Sequence, residues 1–425
     1  MEKFIIQGGI PLKGELTPSG NKNATLPMLA ACLLTDEPVT LRNVPDILDV
    51  RAMIKLLQSL NVQIEFLDET TLRLCANEIR PADLDPSICR QIRASILLAG
   101  PLISRVGKLF LPPPGGDVIG RRRLDTHILA FSHLGIETHY INNQFQFKSQ
   151  GLIGADILMD EASVTATENA IMACVLAKGE TILRNAASEP HIQELCLLLN
   201  KMGAKIENIG SNTLHITGVE RLHGGEFTIG PDYLEVVSYI GAAVVTHGAI
   251  RIKHAGVEHL DMIRLVMNRL GVTWDYAGDD IIVPDEQLLT IEPDLGNAIP
   301  EISVMPWPSF PTDLMSIAIV IATQSKGSIL FHDWMYPSRM YFTDKLVGMG
   351  AQIVLCDPHR CIVQGPTELN AEHLESPDIR AGMALVLAAL SAQGESVIGN
   401  VSQIDRGYQR VDEKLRVLGA NIKRV

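Results

Sequence analysis

Four segments of the chain carry residue types and spacings suited to handling small anions. The first is Ser19-Gly20-Asn21-Lys22-Asn23-Ala24. Lys22 follows a glycine turn and opens the helical pattern Leu26-Pro27-Met28-Leu29. A cation beside the free N–H groups of a helix N-terminus makes a pocket for an anion. A solvated lysine in a turn is the plainer account of the same residues. The second segment runs from Leu111 through Pro112-Pro113-Pro114-Gly115-Gly116-Asp117 to Arg121-Arg122-Arg123, stiff at one end and adaptable at the other. Arginine forks match phosphate oxygens two at a time. Asp117 would deliver a proton there if loop closure buried it. An ordinary surface turn whose aspartate offsets the arginines fits this loop equally well.

The third segment, Phe310-Pro311-Thr312-Asp313, enters the apolar helical run Leu314-Met315-Ser316-Ile317-Ala318. Simple helix capping is the favoured reading of Pro-Thr-Asp at that place. A carboxylate held at a cleft edge would also orient and deprotonate a hydroxyl. The fourth group is a set of single arginines, Arg93, Arg339, Arg380 and Arg406. Arg380 and Arg406 have acidic neighbours, so structural ion pairs are the plain account. They stand at equivalent points of different repeats, and if those units pack together the side chains face one cleft.

Several classes of function are disfavoured. There is no Walker A sequence and no GxGxxG after a strand, and no His/Cys/carboxylate cluster has metal spacing. The net charge of −13 argues against a broad basic face for nucleic acid. The apolar runs around Leu314–Thr323 and Met383–Leu390 fall short of the ~18 residues a membrane helix needs. Met1-Glu2-Lys3-Phe4-Ile5-Ile6 reads as a strand rather than a signal core. Seven cysteines without a CxxC pair read as free thiols in a reducing compartment. Together these indicate a cytoplasmic protein without membrane insertion.

The elements that must position these residues are written in a repeat. Met202-Gly203-Ala204 recurs in kind as Leu60-Asn61-Val62, Leu134-Gly135-Ile136, Leu270-Gly271-Val272, Met349-Gly350-Ala351 and Leu418-Gly419-Ala420. Glycine there suits the left-handed residue that closes a helix. Upstream of each phrase stand a turn, a short strand such as Glu180-Thr181-Ile182-Leu183 or Ala249-Ile250-Arg251-Ile252, and an amphipathic helix. Val50, Met53, Ile54, Leu57 and Leu60 mark the apolar face in the first copy; Tyr408, Val411, Leu415 and Leu418 mark it in the last. Alternating strands such as Leu214-His215-Ile216-Thr217 follow.

Such units cannot bury their apolar sides alone. Three closing around shared helices make a domain, and 425 residues with 46% apolar content suit two. The expected α/β architecture is therefore a domain of residues 22–230, carrying the loop at about 111–123, and one of residues 1–21 plus 231–425. The active site is expected in a cleft between them. An elongated solenoid fits less well, since the units are uneven and polar capping repeats are absent.

Taken in order, Ser-Gly-x-Lys-Asn, Arg-Ala-Ser, Pro-Gly-Gly-x-x-x-Gly, Phe-Pro-Thr-Asp and Asp-Arg-Gly-Tyr resemble the enolpyruvyl transferases from end to end of the chain. The resemblance implies two inside-out α/β barrel domains, each of three βαβαββ units. It implies transfer of the enolpyruvyl group of phosphoenolpyruvate to the 3′-hydroxyl of UDP-N-acetylglucosamine, the first committed step of peptidoglycan synthesis, with no cofactor and no metal. By motif, Lys22, Asn23, Arg122 and Arg406 would hold the phosphate and Arg339 and Arg380 the carboxylate side. Arg93, Arg122, Arg123, Leu124, Asp125, Thr126, Ser163, Val164 and Met335 would meet the UDP-sugar. Asp313 would activate the sugar hydroxyl and Asp117 would donate the proton.

Two positions depart from the usual pattern. Most members carry Cys where this chain has Asp117, and a carboxylate is a poorer soft nucleophile than a thiolate, which implies resistance to the thiol-alkylating epoxide fosfomycin. Glu161 stands where some members place Lys near the diphosphate, and a carboxylate there would repel it. Rival readings are a family member using shikimate 3-phosphate or a nucleoside, and a non-catalytic nucleotide-sugar-binding paralogue. The oligomeric state is not legible.

Overall fold

The computed structural model describes residues 2–80, 84–117, 119–120 and 122–425. Met1, Val118 and Arg121, which belong to the expected opening strand and loop, lie outside the described residues. The glycine phrases behave as helix closures. Gly135, Gly203, Gly271, Gly350 and Gly419 all have positive φ, and Asn61 takes the same conformation at 69° in the first copy. Asparagine tolerates that region because its short polar side chain costs little there. In the turn upstream of Ala249–Ile252, His247 is also left-handed, at 53°.

One repeat shows the grammar in full. Strand Asp156–Leu158 leads to helix Val164–Cys174, strand Glu180–Arg184, helix Pro190–Lys201 and the strands Lys205–Glu207 and Thr213–Thr217, which is βαβαββ. Glu180–Arg184 pairs parallel with Asp156–Leu158 and antiparallel with Thr213–Thr217. Glu301–Ser303 through Arg360–Gly365 repeats the order and the pairing. Parallel neighbours need a crossover, and in both of these repeats the first helix supplies it.

The described residues divide into two compact units, one of residues 2–19, 119–120 and 231–425, the other of residues 20–117 and 122–230. Each has its own apolar core. In the first, strand Phe4–Gln7 lies between Glu395–Gly399 and Asn421–Arg424, and Lys13–Leu16 pairs parallel with Ala249–Ile252. The opening strands thus complete sheets whose other strands lie beyond residue 231.

In the unit of residues 231–425 the first helices of the repeats are central. Every residue of Tyr233–Val245 is buried, as are nearly all of Met315–Gln324 and Ile379–Ser391. A helix apolar on all sides must be packed on all sides. The strands alternate buried and exposed residues, as in Thr213–Thr217, so each sheet turns one face inward. Helices inside and sheets outside is the inside-out barrel arrangement. The expected apolar face of the second helices is also present: Val50, Met53, Ile54, Leu57 and Leu60 are buried. Tyr408 is buried too, but it lies before the last helix, Val411–Val417, rather than on it.

Close helix approach depends on small residues. A Cβ on Gly100 would stand 2.6 Å from the backbone oxygen of Asn169. The Gly100 N–H donates to Asn169 Oδ1 at 2.9 Å. Overpacking of such a contact costs about 1–3 kcal/mol. Gly100→Ala is expected to lower stability by that amount in a denaturant titration, and a midpoint equal to wild type would contradict the packing described.

Candidate active site

In the unit of residues 20–117 and 122–230, Lys22 opens helix Lys22–Ala31, capped by Asn21. Asn21 Oδ1 accepts from the N–H groups of Asn23 and Ala24 at 2.8 and 3.2 Å. The helix terminus therefore spends those donors on its own cap. Lys22 is not the solvated turn residue of the plainer reading. Its Nζ lies 2.8 Å from Asp49 Oδ2, with the two side chains 8% and 7% exposed. Asp49 stands in the first turn of Leu48–Ser59. Its spacing from Met53 and Leu57, four and eight residues on, places it on the buried face, a signal the sequence contained. Asn23 is half-buried beside Lys22.

The glycine–arginine loop is anchored at its base. Arg93 Nη2 donates to the carbonyls of Arg122 and Arg123, both at 2.9 Å. Gly116 has φ 104°, and a Cβ there would lie 2.9 Å from Arg93 Cβ and 3.3 Å from Arg122 Nη1. Only glycine lets the loop pass this closely between the two arginines. Asp117, next in the chain, is half-buried. Arg123 pairs with Asp125 at 3.2 Å and Asp160 at 3.0 Å, and Thr126 donates to Asp160 at 2.8 Å. Leu124 is half-buried and packs against this unit's core. Ser163 precedes helix Val164–Cys174 without a side-chain cap bond, and Glu161 is exposed.

Beneath the loop lies a residue that the sequence reading passed over. His127 Nε2 is bonded to Thr165 Oγ1 at 3.1 Å and Nδ1 to Asn169 Nδ2 at 3.0 Å. Burial, and then the charge of Arg93, push this imidazole down to about 3.

The unit containing residues 231–425 gathers a second group. Asp313 is not a helix cap: Thr312–Leu314 forms a 3₁₀ turn with no side-chain cap bond, which corrects the favoured capping reading. Its carboxylate instead receives Arg339 Nη2 at 2.9 Å and Arg380 Nε at 3.1 Å. The arginines are 3% and 5% exposed and the carboxylate 29%. Burial opposes the charge of Arg380, but Asp313 and other negative groups more than offset it, so it titrates above its ordinary value. Arg380 lies 5.4 Å from the ring centroid of Tyr408, and Arg339 lies 5.3 Å from that of Tyr336. Such aromatic faces favour guanidinium ions.

The acidic neighbours of the arginines also bond elsewhere. Asp378 Oδ1 accepts from the backbone N–H groups of Arg380 and Ala381. Asp405 is held by Arg424 at 2.8 and 2.7 Å, while Arg406 Nη1 donates to Gln403 at 2.9 Å. Met335 is half-buried, in the turn that precedes Arg339.

This pairing of a carboxylate with buried guanidinium groups coincides with a match of residues 6–415 to the sequence model of EPSP synthase (3-phosphoshikimate 1-carboxyvinyltransferase). The chain belongs to that family. Among its relatives, the UDP-N-acetylglucosamine 1-carboxyvinyltransferase of Bradyrhizobium diazoefficiens is 54% identical, over 100% of this chain and 98% of the relative. The enzyme of the same name from Treponema denticola is 51% identical over 100% and 99%. Of solved structures, the enolpyruvyl transferase NikO from Streptomyces tendae superposes with a TM-score of 0.87 at 24% identity, covering 100% and 99% of the chains. That likeness establishes the fold, two α/β domains as expected. Membership of this family makes the protein a transferase. No helix among the described residues is long and apolar enough to cross a membrane.

The neutral histidine gives a pH signature. Its folded-state value, about 3, lies below the ordinary 6.5. The unfolded chain therefore binds the proton first as pH falls, and stability is lost from about 6.5 downward towards 3. His127→Gln is expected to flatten the stability profile in that window, measured by denaturant titration at several pH values. An unchanged slope would contradict a neutral, buried imidazole.

Proposed function

We propose that the protein transfers the enolpyruvyl group of phosphoenolpyruvate to the 3′-hydroxyl of UDP-N-acetylglucosamine, releasing phosphate, and so acts in peptidoglycan synthesis. The observation that carries this reading is the whole-chain likeness, at 54% identity, to an enzyme named UDP-N-acetylglucosamine 1-carboxyvinyltransferase.

The chemistry follows from the residues. In the addition step the acceptor oxygen bonds to C2 of phosphoenolpyruvate, its proton passes to Asp313, and C3 takes a proton from Asp117. In the elimination step C3 returns a proton and the C2–O bond to phosphate breaks. Asp313 accepts hydrogen bonds from two guanidinium groups. The carboxylate of phosphoenolpyruvate competes for Arg339 and Arg380, and that competition frees an oxygen of Asp313 for the acceptor hydroxyl. Lys22, Asn23, Arg122 and Arg406 receive the phosphate, and fixed positive charge in a dry site stabilises what develops on it. Arg93, Arg123, Leu124, Asp125, Thr126, Ser163, Val164 and Met335 receive the UDP-sugar.

Phosphate release measured with UDP-N-acetylglucosamine, shikimate 3-phosphate and a nucleoside separates the acceptors, and turnover with either of the latter in preference would refute the reading. In that assay Asp117→Asn is expected to lose roughly 10²–10⁴-fold in kcat, the range for general acid catalysis. Asp117→Cys is expected to keep turnover and to become inactivated by fosfomycin, which spares wild type. Full activity of Asp117→Asn would remove Asp117 from the reaction.

A further inference from the structure

The carboxylate–guanidinium group around Asp313 includes a second acid that no motif singled out. Asp333 is 0% exposed. Its Oδ1 accepts from the N–H groups of Met335 and Tyr336 at 3.0 and 3.1 Å, closing the turn that leads to Arg339. Its Oδ2 accepts from Thr312 Oγ1 at 2.5 Å and faces Arg339 Nε at 4.0 Å. The main chain of Asp333 is also tied. Its N–H donates to the His359 carbonyl at 2.8 Å, and its carbonyl lies 2.6 Å from His359 Nδ1. One side chain thus joins the entrance of helix Met315–Gln324 to the turn before Arg339, while its backbone joins both to the hairpin of Gln352–Asp357 and Arg360–Gly365.

We propose that Asp333 is the positioning residue for the phosphoenolpyruvate carboxylate site, holding Thr312-Asp313 and the Arg339 guanidinium in register with each other. A buried carboxylate is costly unless its lone pairs are used, and here they are divided between two chain segments. The Nε of Arg339 makes no hydrogen bond of its own. The charge of Asp333 is what faces that nitrogen, while Nη2 goes to Asp313. Without it, Thr312 loses its acceptor and Arg339 keeps the charges of Asp313, its hydrogen-bonded partner, and Asp378. The guanidinium then collapses onto Asp313 and is less available to a substrate anion. Asp333 touches no reacting atom in this account; it acts through Arg339 and Asp313.

Asp333→Asn separates this role from turn capping. The amide oxygen keeps the bonds from Met335 and Tyr336, and the amide nitrogen replaces the atom that faced Thr312 and Arg339. The inference rests on the proposed function, so wild type is assayed first with phosphoenolpyruvate and UDP-N-acetylglucosamine. Absence of phosphate release there sinks the functional reading itself. With wild type active, Asp333→Asn is expected to raise KM for phosphoenolpyruvate by about tenfold or more and to leave KM for the UDP-sugar within about twofold. Unchanged constants, or an equal rise in both, would overturn the inference. Thr312→Val removes the same bond from the other side and carries the test should Asp333→Asn fail to fold. It is expected to give the same selective rise, restored by Thr312→Ser; a wild-type KM for phosphoenolpyruvate in Thr312→Val would equally overturn it.

Discussion

Buried positive charge in an acidic chain is the constraint around which this structure is arranged. Lys22, Arg339 and Arg380 are nearly inaccessible to water, and each is matched to a carboxylate, Asp49 for the first and Asp313 for the other two. Burying an ion pair returns little stability, because desolvation of both partners cancels most of the attraction. Apolar pairs of similar size would serve folding as well. The arrangement makes physical sense if the cations are kept for an external anion and the carboxylates hold them until it arrives.

Everything that positions these groups belongs to the repeat. Lys22 stands at the start of the first helix of one repeat, Arg380 at the start of another, and Asp313 on the turn that enters a third. These helices are packed on every side, so their first turns are fixed by the cores of their units. Chemistry at the ends of rigid elements is better placed than chemistry on loops. The loop from Pro112 to Arg123 is the exception, and it is secured at its end by Arg93.

Much of the fold was legible because its signals are local. A left-handed residue after each helix leaves Gly or Asn at a regular interval, and the apolar stripes follow the helical period. Motifs marked Lys22, Arg93 and Arg380 as candidates, and the structure gives each of them specific partners, although Asp313 read as a cap. What distinguishes a cap from an ion-pair centre is Arg339 and Arg380, 26 and 67 residues away. Asp49 was within reach, since its spacing from Met53 shows a carboxylate on a buried face. Asp333, His127 and Asn169 were not. Their partners come from separate segments, and nothing in their immediate neighbours differs from an ordinary turn or helix.

The central claim, that the buried cations serve the substrate rather than the fold, is tested most directly by replacing one whole pair. The double variant Lys22→Met/Asp49→Leu removes both charges and keeps the volume apolar. Its denaturation midpoint and its phosphate release from phosphoenolpyruvate would be measured side by side. The account requires a midpoint at or above that of wild type with turnover reduced by roughly 10²–10³-fold or more. A variant that folds and turns over like wild type would contradict it.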